Sequence, residues 1–211
     1  MVTVLDASGQ MRDHWWWRPG WRVGRSMYTW HATFDGQDTL HAAADRYQAV
    51  LVPLSGVDLI PRKWLHLTMQ GVGFTDEVDA DDLAKITEAA RRHLATHRPV
   101  TFEAGVPIVD PEAILFAVTA ADELRGVRDG VRAAIAEIWG SEHVPDSPDW
   151  TPHVSIAYSN TDGPAAPYVN ALASIPPKPA AVTLRDVQLI RLDRDTRVYK
   201  WETVNSVPLG G

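Results

Sequence analysis

Trp64-Leu65-His66-Leu67-Thr68-Met69 and Pro152-His153-Val154-Ser155-Ile156-Ala157-Tyr158 are two runs of one kind, far apart in the chain. Each sets a histidine two residues before a hydroxyl side chain, inside an apolar stretch of strand-like composition. Residues i and i+2 of a strand share a face. His66 and Thr68 therefore face one way, with Leu65, Leu67 and Met69 on the other side. His153 and Ser155 stand in the same relation to Val154 and Ile156. If the apolar sides are buried, each run presents an imidazole and a hydroxyl together. Two such pairs facing one cleft supply two acid/base groups and two hydrogen-bond donors, enough for phosphoester chemistry without a metal.

The flanking sequence reads as alternating strands and helices. Residues 27–34 alternate as a strand, Asp35-Gly36 is a turn, and Asp38 caps a helix to about Leu51 with apolar residues at helical spacing. Residues 63–70 form the first motif strand, broken by Gly71 and Gly73. A helix from Asp79 to about His97 carries acids in its first turn, where the helix dipole favours them. For that reason Asp76, Glu77, Asp79, Asp81 and Asp82 read as a solvated helix start rather than a calcium loop. Strands near 100–106 and 113–119 follow, separated by Pro107 and Pro111. The order then recurs: a helix over 122–139, the second motif strand over 152–158, a short helix near 165–174 and a strand from 181. The segments 181–193 and 197–207 form a hairpin about Asp193-Arg194-Asp195. Both halves run strand, helix, motif strand, helix, strand. The expected fold is α+β: a bilobal domain over 27–211 of pseudo-two-fold duplicated β-α-β-α-β halves, with antiparallel sheets flanking a central cleft. Residues 1–26, with Trp15, Trp16, Trp17, Trp21 and several Arg, read as an irregular arm.

Composition narrows the function. The chain has 211 residues, 45% hydrophobic and 22% charged, in keeping with an ordinary globular domain. A formal charge of −7 argues against an extended grip on nucleic acid, which needs a basic face. A nucleotide or one RNA end remains a fitting partner. No cysteine is present, so disulfides, thiolate nucleophiles and cysteine-bound zinc are excluded. No apolar run is long enough to span a bilayer, and Asp6, Arg12, Asp13 and His14 interrupt any secretory h-region. The expectation is a cytoplasmic protein without a membrane partner.

The two motifs resemble those of the two-histidine (2H) phosphoesterases, which include bacterial 2′-5′ RNA ligase and RNA 2′,3′-cyclic phosphodiesterases. That family's motif is His-x-Thr/Ser, a hydrophobic residue, then an aromatic near the third place after the hydroxyl. His153-Val154-Ser155-Ile156-Ala157-Tyr158 matches throughout. His66-Leu67-Thr68-Met69-Gln70-Gly71 matches the core but has Gly71 at the aromatic position, where Phe74 is a substitute. The resemblance spans roughly residues 27–207. It implies that His66 and His153 are the catalytic pair, that Thr68 and Ser155 hold phosphate oxygens, and that no cofactor or metal takes part. Which histidine is the base depends on which ester bond breaks.

Other candidates carry two readings each. His31, in a third His-x-Thr (His31-Ala32-Thr33), shares a face with Thr29 and Thr33. It is either a phosphate or ribose contact at the cleft edge or a structural histidine. Gln70 extends the face of His66 and Thr68 and can contact substrate. Tyr158 points away from His153 on a regular strand, which assigns it to packing. It stacks on a base only if the strand ends early. The tryptophans of the arm either stack on nucleobases, cover a core edge or mediate self-association. The expected activity is hydrolysis of a 2′,3′-cyclic phosphate or a 2′-5′ linkage, with 2′-5′ joining as its reverse. The alternative is a non-catalytic nucleotide or RNA-end binding module.

Overall fold

Alternating burial along the strands and an apolar stripe on each helix make the elements. A computed structural model describes residues 2–145 and 147–210. In chain order they are β1 (Gln10–Met11), β2 (Met27–Thr33), α1 (Asp38–Leu51), β3 (Val57–Leu59), β4 (His66–Phe74), α2 (Ala80–Leu94), β5 (Val100–Asp110), β6 (Ala113–Val118), α3 (Ala121–Trp139), β7 (His153–Ser159), β8 (Gly163–Pro164), α4 (Ala166–Ala173), β9 (Ala180–Leu184), β10 (Asp186–Asp193) and β11 (Lys200–Pro208). Short 3-10 turns at Arg62–Trp64 and Ser141–His143 lead toward the two motif strands.

Two antiparallel sheets form the lobes. One has the order β11-β10-β2-β4, the other β3-β7-β6-β5-β9, and the motif strands β4 and β7 pack against each other where the lobes meet. The fold is thus α+β and bilobal, with the strand–helix–motif strand–helix–strand order present twice (β2 to β5, then β6 to β9). The lobes are not the halves of the sequence. Helix α1, from the first half, covers the sheet containing β7. Helix α3, from the second half, packs on α2 and on β4. The interlacing lets the core run through both lobes, from Trp30, Leu67 and Met69 to Phe116, Val154 and Ile156.

Several elements differ from their sequence reading. Gly71 and Gly73 do not end the first motif strand; they pair with Thr29 and Tyr28, and the strand continues to Phe74. The run near 181–193 is two strands, β9 in one sheet and β10 in the other, parted at Arg185. Pro107 lies within β5, paired with Phe116 next to an irregularity in the β5–β6 register, the kind of position where strands admit proline. Asp38 sits in the first turn of α1 rather than capping it; Gln37 precedes the helix and makes no side-chain cap. Asp79 does cap α2, accepting from the Asp81 and Asp82 amides at 2.8 and 3.3 Å. Asp76 and Glu77 pair with Arg25.

The arm is irregular apart from β1, which pairs with β8. It is nevertheless hydrogen-bonded along its length. His14 N donates to Ser159 O (2.9 Å) and Arg12 N to Pro111 O (2.6 Å) in one lobe, and Gly24 N to Asp195 Oδ2 (2.8 Å) in the other. Arg194, in the expected hairpin turn, is buried beneath it. Its Nη2 donates to His14 O (3.1 Å) and Trp16 O (3.3 Å), and its guanidinium lies 5.4 to 6.0 Å from the rings of Trp15, Trp17, Trp21 and Tyr199. Trp15 is buried and donates Nε1–H to Asp58 Oδ2 (2.9 Å). No helix among the described residues is long and apolar enough to cross a membrane.

Candidate active site

A cavity of about 490 Å³ opens between the lobes. Strand β4 contributes His66, Thr68 and Gly71 to its wall, and β7 contributes His153, Ser155 and Tyr158. The spacing is the same on both strands, at positions i, i+2 and i+5. A regular strand cannot put i and i+5 on one face. Each motif strand carries a bulge immediately after its hydroxyl residue. On β4, Thr68 pairs with His31 and Gln70 with Trp30, leaving Met69 as the extra residue. On β7, Ser155 pairs with Leu115 and Ala157 with Ile114, leaving Ile156 as the extra one. One inserted residue reverses the facing of everything beyond it.

Two sequence expectations change for this one reason. Tyr158 faces the cavity together with His153, not away from it. Gln70 does not share the face of His66 and Thr68: its side-chain oxygen accepts from Arg128 Nη2 (3.1 Å) and Arg132 Nη1 (3.0 Å) on the side of α3. The carbonyl of each inserted residue is bonded from outside the bulged pair. Met69 O accepts from Arg128 Nε (2.8 Å), and Ile156 O from Gln48 Nε2 (2.8 Å) and Ile60 N (2.9 Å). The interlaced helices α3 and α1 supply Arg128 and Gln48, so the crossover that mixes the halves also holds the bulges. Arg128→Leu should cost about 2–4 kcal/mol, since bonds from a charged donor are worth about 1.5–3 kcal/mol each and buried acceptors are left unpaired. A urea midpoint within error of wild type would show that the bulge holds itself.

The two motif histidines are fixed alike. His66 Nδ1–H donates to Trp64 O and His153 Nδ1–H to Thr151 O, each at 2.8 Å and each two residues back. A carbonyl can only accept, so both rings carry the Nδ1 proton and keep Nε2 as the group for exchange. Burial disfavours the charged form of both. The His66 ring is pushed down to about 4, first by burial and further by the charge that His153 and His14 can carry, against the Trp64 carbonyl. His153 is also lowered, chiefly by burial, with the Thr151 carbonyl and Asp110 opposing.

His31 reaches the cavity wall but not its open edge. It is 1% exposed and lies behind His66, ring on ring, with centroids 4.4 Å apart and planes within 1°. Its Nε2 is 3.3 Å from Thr68 Oγ1. Burial, and then His66, hold it well below its ordinary range, so it supports the first motif as a neutral ring. The arm adds residues that sequence reading did not assign. His14 stacks on Tyr158 (4.1 Å, 16°), its Nε2 lies 2.9 Å from Tyr199 Oη, and its Nδ1 lies 3.3 Å from Glu112 Oε2. Glu112 also accepts from Arg18 Nη2 (2.6 Å), and its carboxyl is lowered to about 2, with His14 the largest cause. The density of Trp and Arg before residue 26 marked this segment as unusual. Its path over the cleft is bonded to Arg194, 178 and 180 residues after the Trp16 and His14 carbonyls it meets.

Among the described residues, no three His, Asp or Glu side chains are grouped as metal ligands are. The family model of the 2′-5′ RNA ligase superfamily matches residues 36–196. The chain belongs to the 2′-5′ RNA ligase superfamily. The matched span contains both His-x-Ser/Thr strands and leaves the arm outside. No curated protein matches this superfamily member in sequence. Among solved structures it is similar to TT0787 of Thermus thermophilus, at a TM-score of 0.67 and 21% identity, over 89% of this chain and 98% of that one. It is also similar to LigT of E. coli complexed with 3′-AMP, at 0.61 and 12% identity, over 89% and 99%. LigT complexed with NADP+ gives 0.62 and 11% over the same shares. Likeness at these identities is likeness of fold.

Proposed function

We propose that this chain is a metal-independent phosphoesterase that opens a 2′,3′-cyclic phosphate, or cleaves a 2′-5′ linkage, on a nucleotide or RNA end. The observation that carries this reading is the matched pair of imidazoles in one cavity, both held through Nδ1, so that each Nε2 is the nitrogen left to act. In the reaction a water oxygen forms the new bond to phosphorus and a ribose oxygen leaves. One imidazole takes the water proton and one imidazolium gives a proton to the leaving oxygen. Burial favours the neutral form of His66 most plainly, which makes His66 the base and His153 the acid. Thr68 and Ser155 hydroxyls donate to the non-bridging oxygens as charge builds. Tyr158 flanks the site beside Ser155. LigT, of the same fold, has been crystallised with 3′-AMP, which supports a nucleotide as the ligand class. The joining of RNA ends by 2′-5′ bonds would use the same groups in reverse.

The test is a panel of 2′,3′-cyclic nucleotides and cyclic-phosphate-ended RNAs, assayed with chelator present. Turnover undiminished by chelator is expected; binding without product would leave a non-catalytic module. The pH dependence of kcat/KM tests the roles. A base must be neutral, so the rate falls as pH drops through about 4, where His66 takes its proton. An acid must be charged, so the rate falls as pH rises through the lowered value of His153. The optimum therefore lies below 6.5, with both limbs belonging to the coupled pair. A profile still rising at pH 8 would contradict this assignment.

A further inference from the structure

Arg18-Pro19-Gly20-Trp21 is a tight turn built to be rigid. Trp21 N donates to Arg18 O at 3.0 Å, Pro19 is the second residue, and Gly20 has φ +82°, as a type II turn requires. A Cβ on Gly20 would come within 2.5 Å of the Phe74 ring, so only glycine fits. Both lobes anchor the turn. Arg18 bonds Glu112 in one; toward the other, Arg25, itself paired with Asp76 and Glu77, donates Nη1–H to Gly20 O (2.6 Å), and the Phe74 and Trp21 rings meet edge to face (5.2 Å, 80°). This turn presents to the cavity Arg18 and the half-buried indole of Trp21.

The floor beside that indole is apolar. Along β2, His31, Thr29 and Met27 follow one another on the cavity side, and Leu192 pairs with Met27 across the sheet. Gly71 lies opposite Thr29 and has no side chain to fill the space. The wall thus passes from imidazoles and hydroxyls to Met27, Leu192 and Trp21. Each step of two residues is about 7 Å, comparable with the reach from a ribose phosphate to its base. Gly71 is the position equivalent to Tyr158 on the other motif strand, so the aromatic absent there has a counterpart in the arm.

We propose that Trp21 is the nucleobase platform of the cavity: the base of a nucleotide whose phosphate lies between His66 and His153 stacks on its indole. The assignment rests on the reading of the cavity as a nucleotide site, and adds that the segment outside the family match selects for the base. Stacking of a base on an aromatic side chain is worth about 1–3 kcal/mol, or roughly fivefold to a hundredfold in affinity.

Calorimetry with 3′-AMP and with inorganic phosphate as probes tests it. Trp21→Leu, which keeps apolar packing on Phe74, should weaken 3′-AMP about tenfold or more and leave phosphate within about twofold. Trp21→Phe should keep most of the 3′-AMP affinity. Trp17→Ala, at an indole 49% exposed and outside the cavity, should change neither. In turnover of 2′,3′-cyclic AMP, Trp21→Leu should raise KM and spare kcat. Equal weakening of both probes, unchanged 3′-AMP affinity, or no 3′-AMP binding by the wild type would each overturn the platform. Hydrolysis by wild type with a silent Trp21→Leu defeats the platform but not the phosphoesterase. Trp21-dependent binding without any hydrolysis defeats the phosphoesterase but not the platform.

Discussion

Replacing His66 or His153 should all but stop turnover while the protein stays folded. A positioned general acid or base contributes about 10²- to 10⁴-fold, so His66→Asn and His153→Asn should each lower kcat by that order. The two act in one proton-transfer cycle, so the double variant should fall well short of the product of the single losses. Removing His66 disturbs packing as well, because its ring stacks on the buried His31. The Asn variant retains a polar group of similar reach, and its unfolding midpoint separates lost chemistry from lost fold. His153 lies at the half-buried rim, so His153→Asn should leave stability within about 1 kcal/mol, as substitutions outside the core usually do. Wild-type rates from either folded variant would end the two-histidine reading.

Acid should weaken the fold well before Glu112, lowered to about 2, takes up its proton. His14, His31, His66 and His153 are all held below the ordinary value near 6.5, with burial as the first cause in each case. For a histidine whose folded value is depressed, the unfolded chain binds the proton more readily. The stabilising contribution is then fully present above 6.5 and is lost as pH falls through the folded value. For His66 the fall from 6.5 to about 4 corresponds to about 3 kcal/mol. Urea unfolding midpoints should hold from pH 8 to 7 and decline steeply from 6.5 to 4. His31→Phe keeps a flat ring against His66 but cannot take up a proton, so its decline should be shallower than that of wild type. The loss of ionised Glu112, near 2, belongs to a lower window. A midpoint independent of pH between 6.5 and 4 would show that these rings gain protons without opening the fold.

Much of this was legible in local pattern. Periodicity of two placed β2 and both motif strands, periodicity of 3.6 placed α1, α2 and α3, and the repeated order of elements foretold two lobes. His66, Thr68, His153 and Ser155 stand where alternation put them, because each pair lies before the bulge of its strand. Expectations failed just beyond it. Gln70 and Tyr158 each lie past one inserted residue, so strict alternation assigned each to the wrong face. A bulge is not a property of Met69 or Ile156 as residue types. The carbonyls of the inserted residues are met by Arg128 and Gln48, on helices from elsewhere in the chain, and Ile156 O also by Ile60 N.

The arm shows the same division. Its excess of tryptophan was plain and it read as irregular, yet three roles stood open for its rings. Arg194, Glu112, Phe74 and Asp58 separate those roles by where they hold the segment: Trp15 goes into the core, Trp16 and Trp17 out to solvent and Trp21 onto the cavity. Which residue types sit on which element, and that two imidazoles with their hydroxyls should share a cleft, follow from local periodicity, because the pleat and the helical turn are set by backbone geometry alone. Which side chains beyond the bulges enter that cleft, and what the arm lays across it, were decided by contacts between residues far apart in the chain, because only those contacts satisfy the backbone groups that irregular structure leaves unpaired.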